Sequence, residues 1–152
     1  MKRVIVTGGA GFIGSCLIKL LLKKKYIVLN LDKLSYAGKL NNLDEVRINK
    51  NYSFIKVDIC DQIQFEKIIF KFKPHVVFHV AAETHVDNAI KNPKKFIKNN
   101  ILGTFNLLEI LRRYDNLKKV NNLKIIYVST DEVYGSIKGH KKFTEKSQIK
   151  PN

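Results

Sequence analysis

The chain has 152 residues, 45% apolar and 27% charged, a size and balance that suit one globular domain with a real core. No apolar run approaches the roughly 18 residues of a membrane-spanning helix, and the short apolar stretch near the N-terminus runs into a glycine loop, which marks a strand rather than a signal peptide. The net charge of +15 comes from 24 Lys and 4 Arg spread along the chain, which weighs against nucleic-acid binding, and Cys16 and Cys60 are too few for a disulfide framework or a zinc site, in keeping with a reducing cytoplasm.

Arg3–Thr7 (RVIVT) is a β-branched run that predicts a first strand. The loop that follows, TGGAGFIG, sets Gly8, Gly11 and Gly14 in the spacing G-x-x-G-x-x-G, and Gly14–Lys24 then carries Leu17, Leu20 and Leu21 at helical spacing. Glycines between a strand and a helix let backbone approach a pyrophosphate, which the free amides of the helix N-terminus attract. Tyr26–Asp32 predicts a second strand ending in Asp32, 18 residues after Gly14. A carboxylate there can accept both adenosine ribose hydroxyls and repels a 2′-phosphate, so NAD is expected over NADP, with Lys33 softening the preference. A structural glycine turn and a solvated Asp would produce the same letters.

After a polar stretch with Gly38, Tyr52–Asp58 alternates as a third strand, and Asp61–Phe72 places Phe65, Ile68, Ile69 and Phe72 on one helical stripe. His75–Val80 predicts a fourth strand, whose sequel Ala81-Ala82-Glu83 shares the carboxyl edge of the sheet with Asp58. Small residues at 81 and 82 would let a flat nicotinamide-ribose pass close to the backbone. Asn92-Pro93 opens a long helix to about Tyr114, with Ile97, Ile101, Leu108 and Leu111 on one face. Leu123–Val128 predicts a fifth strand and leads into Ser129–Gly135 (STDEVYG), which holds a hydroxyl and two adjacent carboxylates. Paired carboxylates can divide acid and base duties. They are equally what a turn or a helix cap uses. Apolar strands alternating with amphipathic helices predict a doubly wound α/β domain, a parallel sheet covered on both faces.

Together TGGAGFIG, DKLSYAG from Asp32, DICD from Asp58, AAETHVD from Ala81, NILGT from Asn100 and STDEVYG resemble the nucleotide-sugar branch of the extended short-chain dehydrogenases, most of all the dTDP-glucose 4,6-dehydratases. The likeness covers essentially the whole chain. The glycine loop is shared widely in that superfamily, whereas Thr-Asp-Glu is much more specific. The resemblance implies a Rossmann-type NAD-binding domain over 1–152, truncated after the fifth strand, with the C-terminal substrate domain absent. It implies NAD contacts at Gly8, Gly11, Phe12, Ile13, Gly14, Asp32, Lys33, Leu34, Ser35, Asp58, Ile59, Val80, Ala81, Ala82 and Asn99, although relatives often carry Thr at the last. It implies dTDP-glucose as substrate, met by Thr84, His85 and Thr130, no metal, a cytoplasmic location, and a homodimer through the long helix when full length.

The implied reaction is a redox-assisted dehydration. A hydride leaves C4 of the glucosyl unit for NAD, Glu132 removes the acidified C5 proton, Asp131 protonates the departing C6 hydroxyl, and the hydride returns to C6. Thr130 would orient the sugar through O4. UDP-glucose is an alternative substrate, and a non-catalytic NAD-binding module is an alternative role. The family also oxidises C4 with a Tyr-x-x-x-Lys pair, and the chain stops at Lys150-Pro151-Asn152, before the segment that would carry it. Tyr114/Lys118 and Tyr134/Lys138 have that spacing, but about one such match arises by chance here, and neither has the right setting. The fragment is therefore expected to be inactive alone.

Overall fold

The computed structural model describes residues 1–118, 123–137, 139 and 142–152. Its elements are β1 (Arg3–Thr7), α1 (Phe12–Lys23), β2 (Ile27–Asp32), a 3-10 segment (Leu40–Val46), β3 (Tyr52–Lys56), α2 (Gln62–Phe72) and β4 (Val76–His79). There follow α3 (Val86–Lys91), α4 (Pro93–Phe96), a π-helical segment (Ile97–Leu102), α5 (Gly103–Lys118), β5 (Lys124–Tyr127) and a 3-10 turn (Asp131–Tyr134). The strands pair all in parallel, in the order β3-β2-β1-β4-β5. From β1 the chain thus works outward first to one side and then to the other, which leaves a crevice at the carboxyl ends of β1 and β4.

Alternation along the strands splits the core into two layers. Val4, Val6 and Val28 face α1 and meet Ile18, Leu21 and Leu22. Ile5, Leu29, Leu31 and Val77 point the other way, against Phe65 and Ile69 of α2 and Leu107, Ile110, Leu111 and Tyr114 of α5. The doubly wound architecture follows directly.

Local signals position the helices. The Asp61 carboxylate caps α2 by accepting from Gln64 N at 3.0 Å, and Asn92 caps α4 ahead of Pro93, which needs no N–H partner at the first helical position. The helix opened by Pro93 runs on through the π-helical segment into α5, because Ile97 and Gly103 both keep right-handed helical dihedrals, and it ends at Lys118 rather than near Tyr114. Its apolar residues divide. Leu107, Ile110, Leu111 and Tyr114 form a complete i, i+3, i+4, i+7 stripe and are buried, while Ile97, Ile101, Phe105 and Leu108 are exposed. Leu111 therefore does not share a face with Ile97, Ile101 and Leu108. The edge strand β5 is also exposed along Ile125–Val128. No helix among the described residues is long and apolar enough to cross a membrane.

Candidate functional site

A cleft of about 280 Å³ opens at the carboxyl edge of the sheet, over the β1/β4 crevice. Its walls include Gly8, Gly11, Phe12, Ile13 and Gly14 after β1, and Asp32, Lys33 and Ser35 after β2. Ile59 follows β3, Val80, Ala81, Ala82 and Thr84 follow β4, and Asn99 comes from the π-helical segment. Of the expected cofactor residues, only Leu34 and Asp58 do not line it.

The three loop glycines have different physical reasons. Gly8 has φ of +69° and a Cβ there would lie 2.7 Å from both Ala81 Cα and Ala81 N, so only glycine fits between the two strand ends. Gly14 is equally enclosed, with a Cβ 2.3 Å from Gly8 O. Gly11 is different. It has an ordinary φ of −75°, and a Cβ there would come no nearer to protein than 3.4 Å, from Gly8 O. The fold does not need glycine at Gly11; a ligand pressed against that backbone would. Gly11 also begins α1 without a side-chain cap or an acidic residue in the first turn, so the amides and the positive end of the helix face the cleft uncompensated. This cradle fits a pyrophosphate.

Asp32 is buried, and each of its oxygens takes one backbone N–H: Oδ2 from Ala10 at 2.9 Å and Oδ1 from Leu34 at 2.7 Å. The second bond holds Leu34 at a φ of +57°, unusual for a γ-branched residue. Leu34 thus shapes the site by holding Asp32 rather than by lining the cleft. A carboxylate still has lone pairs to offer a ribose.

Lys33 turns across the cleft. Its Nζ donates to Asn99 Oδ1 at 2.7 Å and lies 3.6 Å from Asp58 Oδ2. Burial pushes the Asp58 carboxyl up, but the Cys60 N–H and the Lys33 charge more than reverse this and hold it below the usual carboxylate range. Asn99 Nδ2 donates in turn to Glu83 Oε1 at 3.0 Å, and Lys95 Nζ donates to Glu83 Oε2 at 3.1 Å. The neighbouring Asn100 brackets the Glu83 backbone, accepting from its N–H and donating to its carbonyl, both at 2.8 Å. The loop 81–84 is thereby tied to the π-helical segment. Sequence reading placed Glu83 at this edge without a role and gave no site role to Lys95, Asn100, Ala37, Gly38 or Val57, because their contacts are made between elements far apart in the chain.

Thr130, Asp131 and Glu132 stand just beyond β5, whose continuation Val128 N donates to His79 O of β4 at 3.0 Å. Thr130 Oγ1 accepts from Glu132 N at 3.3 Å and caps the 3-10 turn that contains both carboxylates. All three are exposed and lie outside the cleft wall, at the same edge. His85 is exposed, with Tyr36 edge-on at 6.2 Å. Neither tyrosine of the two Tyr-x-x-x-Lys matches lines the cleft, and the Lys118 side chain lies outside the described residues. Tyr114 is buried against Phe70, and burial raises its pKa. Tyr134 stacks on Phe143 at 5.1 Å, and Lys138 lies outside the described residues.

Residues 5–152 match the family model described as GDP-mannose 4,6 dehydratase. The chain is 44% identical over 153 residues to a probable dTDP-glucose 4,6-dehydratase of Sinorhizobium fredii, covering 99% of this chain and 44% of that one. It is 43% identical over 158 residues to dTDP-glucose 4,6-dehydratase of Haemophilus influenzae, covering 100% of this chain and 46% of that one. Among solved structures, the Bacillus anthracis dTDP-glucose 4,6-dehydratase in complex with NAD superposes with a TM-score of 0.85 at 35% identity, over 100% of this chain and 45% of that one. The Thermus thermophilus UDP-glucose 4-epimerase complex with NAD gives 0.82 at 33% identity, over 98% of this chain and 44% of the other. The chain spans about half the length of the curated relatives it matches.

Proposed function

The chain belongs to the GDP-mannose 4,6-dehydratase family, and on that footing we propose that it is the NAD-binding, acid/base-bearing part of a dTDP-glucose 4,6-dehydratase. The observation that carries this reading is the pair Asp131 and Glu132, capped by Thr130 beyond β5, at the same sheet edge as a cleft with a pyrophosphate cradle. The fold alone does not choose among activities, since an epimerase superposes nearly as well as a dehydratase. Thr-Asp-Glu supports dehydration, which must move one proton off the sugar and one on.

Gly8, Gly11 and Gly14 with the α1 amides would hold the pyrophosphate, Asp32 the adenosine ribose, and Ala81, Ala82 and Thr84 the nicotinamide-ribose and substrate side. NAD, when bound, would supply hydride acceptance at C4 of the sugar and return it at C6. Glu132 would take the C5 proton and give it back to C5 as the hydride reaches C6. Asp131 would give one to the leaving hydroxyl at C6 so that it departs as water, and Thr130 would hydrogen-bond O4, whose own proton would pass to the Tyr of the family's Tyr-x-x-x-Lys pair. Adjacent residues on a short 3-10 turn point in different directions, so the two carboxyls can address neighbouring carbons. His85 would support the substrate-side loop. The full protein would be a cytoplasmic homodimer of deoxysugar synthesis, pairing through the exposed stripe Ile97, Ile101, Phe105 and Leu108.

The test is a chimera in which this chain replaces the matching part of the H. influenzae relative, assayed with dTDP-glucose and UDP-glucose. Formation of the 4-keto-6-deoxy product, preferring the dTDP sugar and lost in Glu132→Gln, supports the proposal. A chimera that binds NAD but yields only an epimerised sugar overturns it.

A further inference from the structure

Lys33 follows Asp32 directly, yet the two do not pair. Among the described residues Asp32 makes no ion pair, and the Lys33 ammonium goes instead to Asn99 at 2.7 Å and Asp58 at 3.6 Å. The side-chain amide of Asn99 suits its place between a cation and an anion. Its oxygen must face the Lys33 ammonium and its nitrogen the Glu83 carboxylate, since the reverse would set donor against donor and acceptor against acceptor. Glu83 and Asn99 are both buried, so this amide has few other ways to satisfy its polar atoms.

We infer that Asn99 is a specificity-determining residue for the dinucleotide, acting through Lys33. With Asp58 it draws the ammonium across the cleft, and so leaves the negative charge of Asp32 uncompensated where a ribose 2′-oxygen would sit. The inference rests on the nicotinamide-dinucleotide reading of the cleft. A lysine freed from this clamp has a flexible four-carbon stem and would swing toward a 2′-phosphate, a strong partner for an ammonium. Asp32 excludes the 2′-phosphate, and Asn99 keeps Lys33 from undoing that exclusion.

The experiment measures dissociation constants for NAD and for NADP by calorimetry on the 152-residue chain and its Asn99→Leu, Asn99→Ala, Lys33→Gln and Lys33→Gln/Asn99→Leu variants, each checked for folding by circular dichroism. Asn99→Leu and Asn99→Ala should move the NAD-to-NADP preference on the order of tenfold toward NADP, the scale of one charge-assisted hydrogen bond. The same change in the Lys33→Gln background should move it by less than about twofold, since only screened charge effects are left. An unchanged preference in Asn99→Leu, or an equal shift without Lys33, overturns the inference. Should the Asn99 variants fail to fold, Lys33→Gln alone decides. A clamped ammonium predicts a preference within about twofold of the parent chain, and a loss of NADP affinity of tenfold or more refutes the clamp. A folded parent chain that binds NAD but shows no shift overturns only the role of Asn99. One that binds neither dinucleotide overturns the cofactor reading and the inference together.

Discussion

The Thr7 hydroxyl lies 2.7 Å from His79 Nδ1, joining the last residues of β1 and β4 beneath the cleft. Thr7 Oγ1 also accepts from Ala81 N at 3.3 Å, so its proton is free to go to Nδ1, and His79 Nε2–H is then the donor to Thr104 Oγ1 at 3.0 Å. One neutral imidazole thus holds β1, β4 and α5 in register under the cleft floor, stacked on Tyr127 at 5.3 Å.

Burial pushes His79 down from its ordinary 6.5 to about 4. The folded state therefore binds fewer protons than the unfolded state. Its contribution is complete above the unfolded pKa and drains away as pH falls through the folded one. The unfolding free energy from denaturant titrations should be steady near pH 7.5 and should fall between pH 6.5 and 4, by about 3 kcal/mol in all. His79→Gln should flatten that window; a parent chain equally stable at pH 7 and 4.5 would refute the assignment.

Gly8 and Gly11 should part company on substitution. Gly8→Ala drives a Cβ to 2.7 Å from Ala81 backbone at φ +69°, and thermal unfolding should show a loss of more than about 2 kcal/mol. Gly11→Ala meets protein no closer than 3.4 Å, so its stability should stay within about 0.5 kcal/mol while NAD binding weakens on the order of tenfold or more. Equal effects on folding would show that Gly11 serves the fold rather than a ligand.

Asn100 satisfies both backbone groups of Glu83. Asn100→Leu leaves them without those partners at a buried residue, and should cost about 1–3 kcal/mol in urea unfolding. It should also weaken NAD binding, because the loop carries Ala81 and Ala82 on the cleft wall.

Asp131→Asn and Glu132→Gln should be silent in the same unfolding experiments, within about 0.5 kcal/mol, since both side chains are exposed and lie in a short surface turn. In the chimera each should lower product formation by about 10²–10⁴-fold, the usual worth of a positioned acid or base. A variant stable and fully active would remove that carboxyl from the proposed mechanism.

Sequence alone determined the local features of this protein. The β-branched runs, the amphipathic stripe of α2, the caps Asp61 and Asn92, and the glycine spacing between β1 and α1 are each set by neighbours a few residues apart, and the parallel order of layers follows from their alternation. The acid at Asp32 and the Thr130-Asp131-Glu132 turn could be read in the same way. Tertiary structure decided which residues those pieces bring together. That Lys33 pairs with Asp58 and Asn99 rather than with adjacent Asp32, that Glu83 is locked by Asn99, Asn100 and Lys95, and that His79 joins three elements all depend on loops and strands meeting in space. Glycine spacing likewise could not show that Gly8 is required by the Ala81 backbone and Gly11 by no close contact among the described residues. Side chains of five or six bonds reach partners that no periodicity along the chain encodes, so such contacts are settled only by the packing of the whole domain.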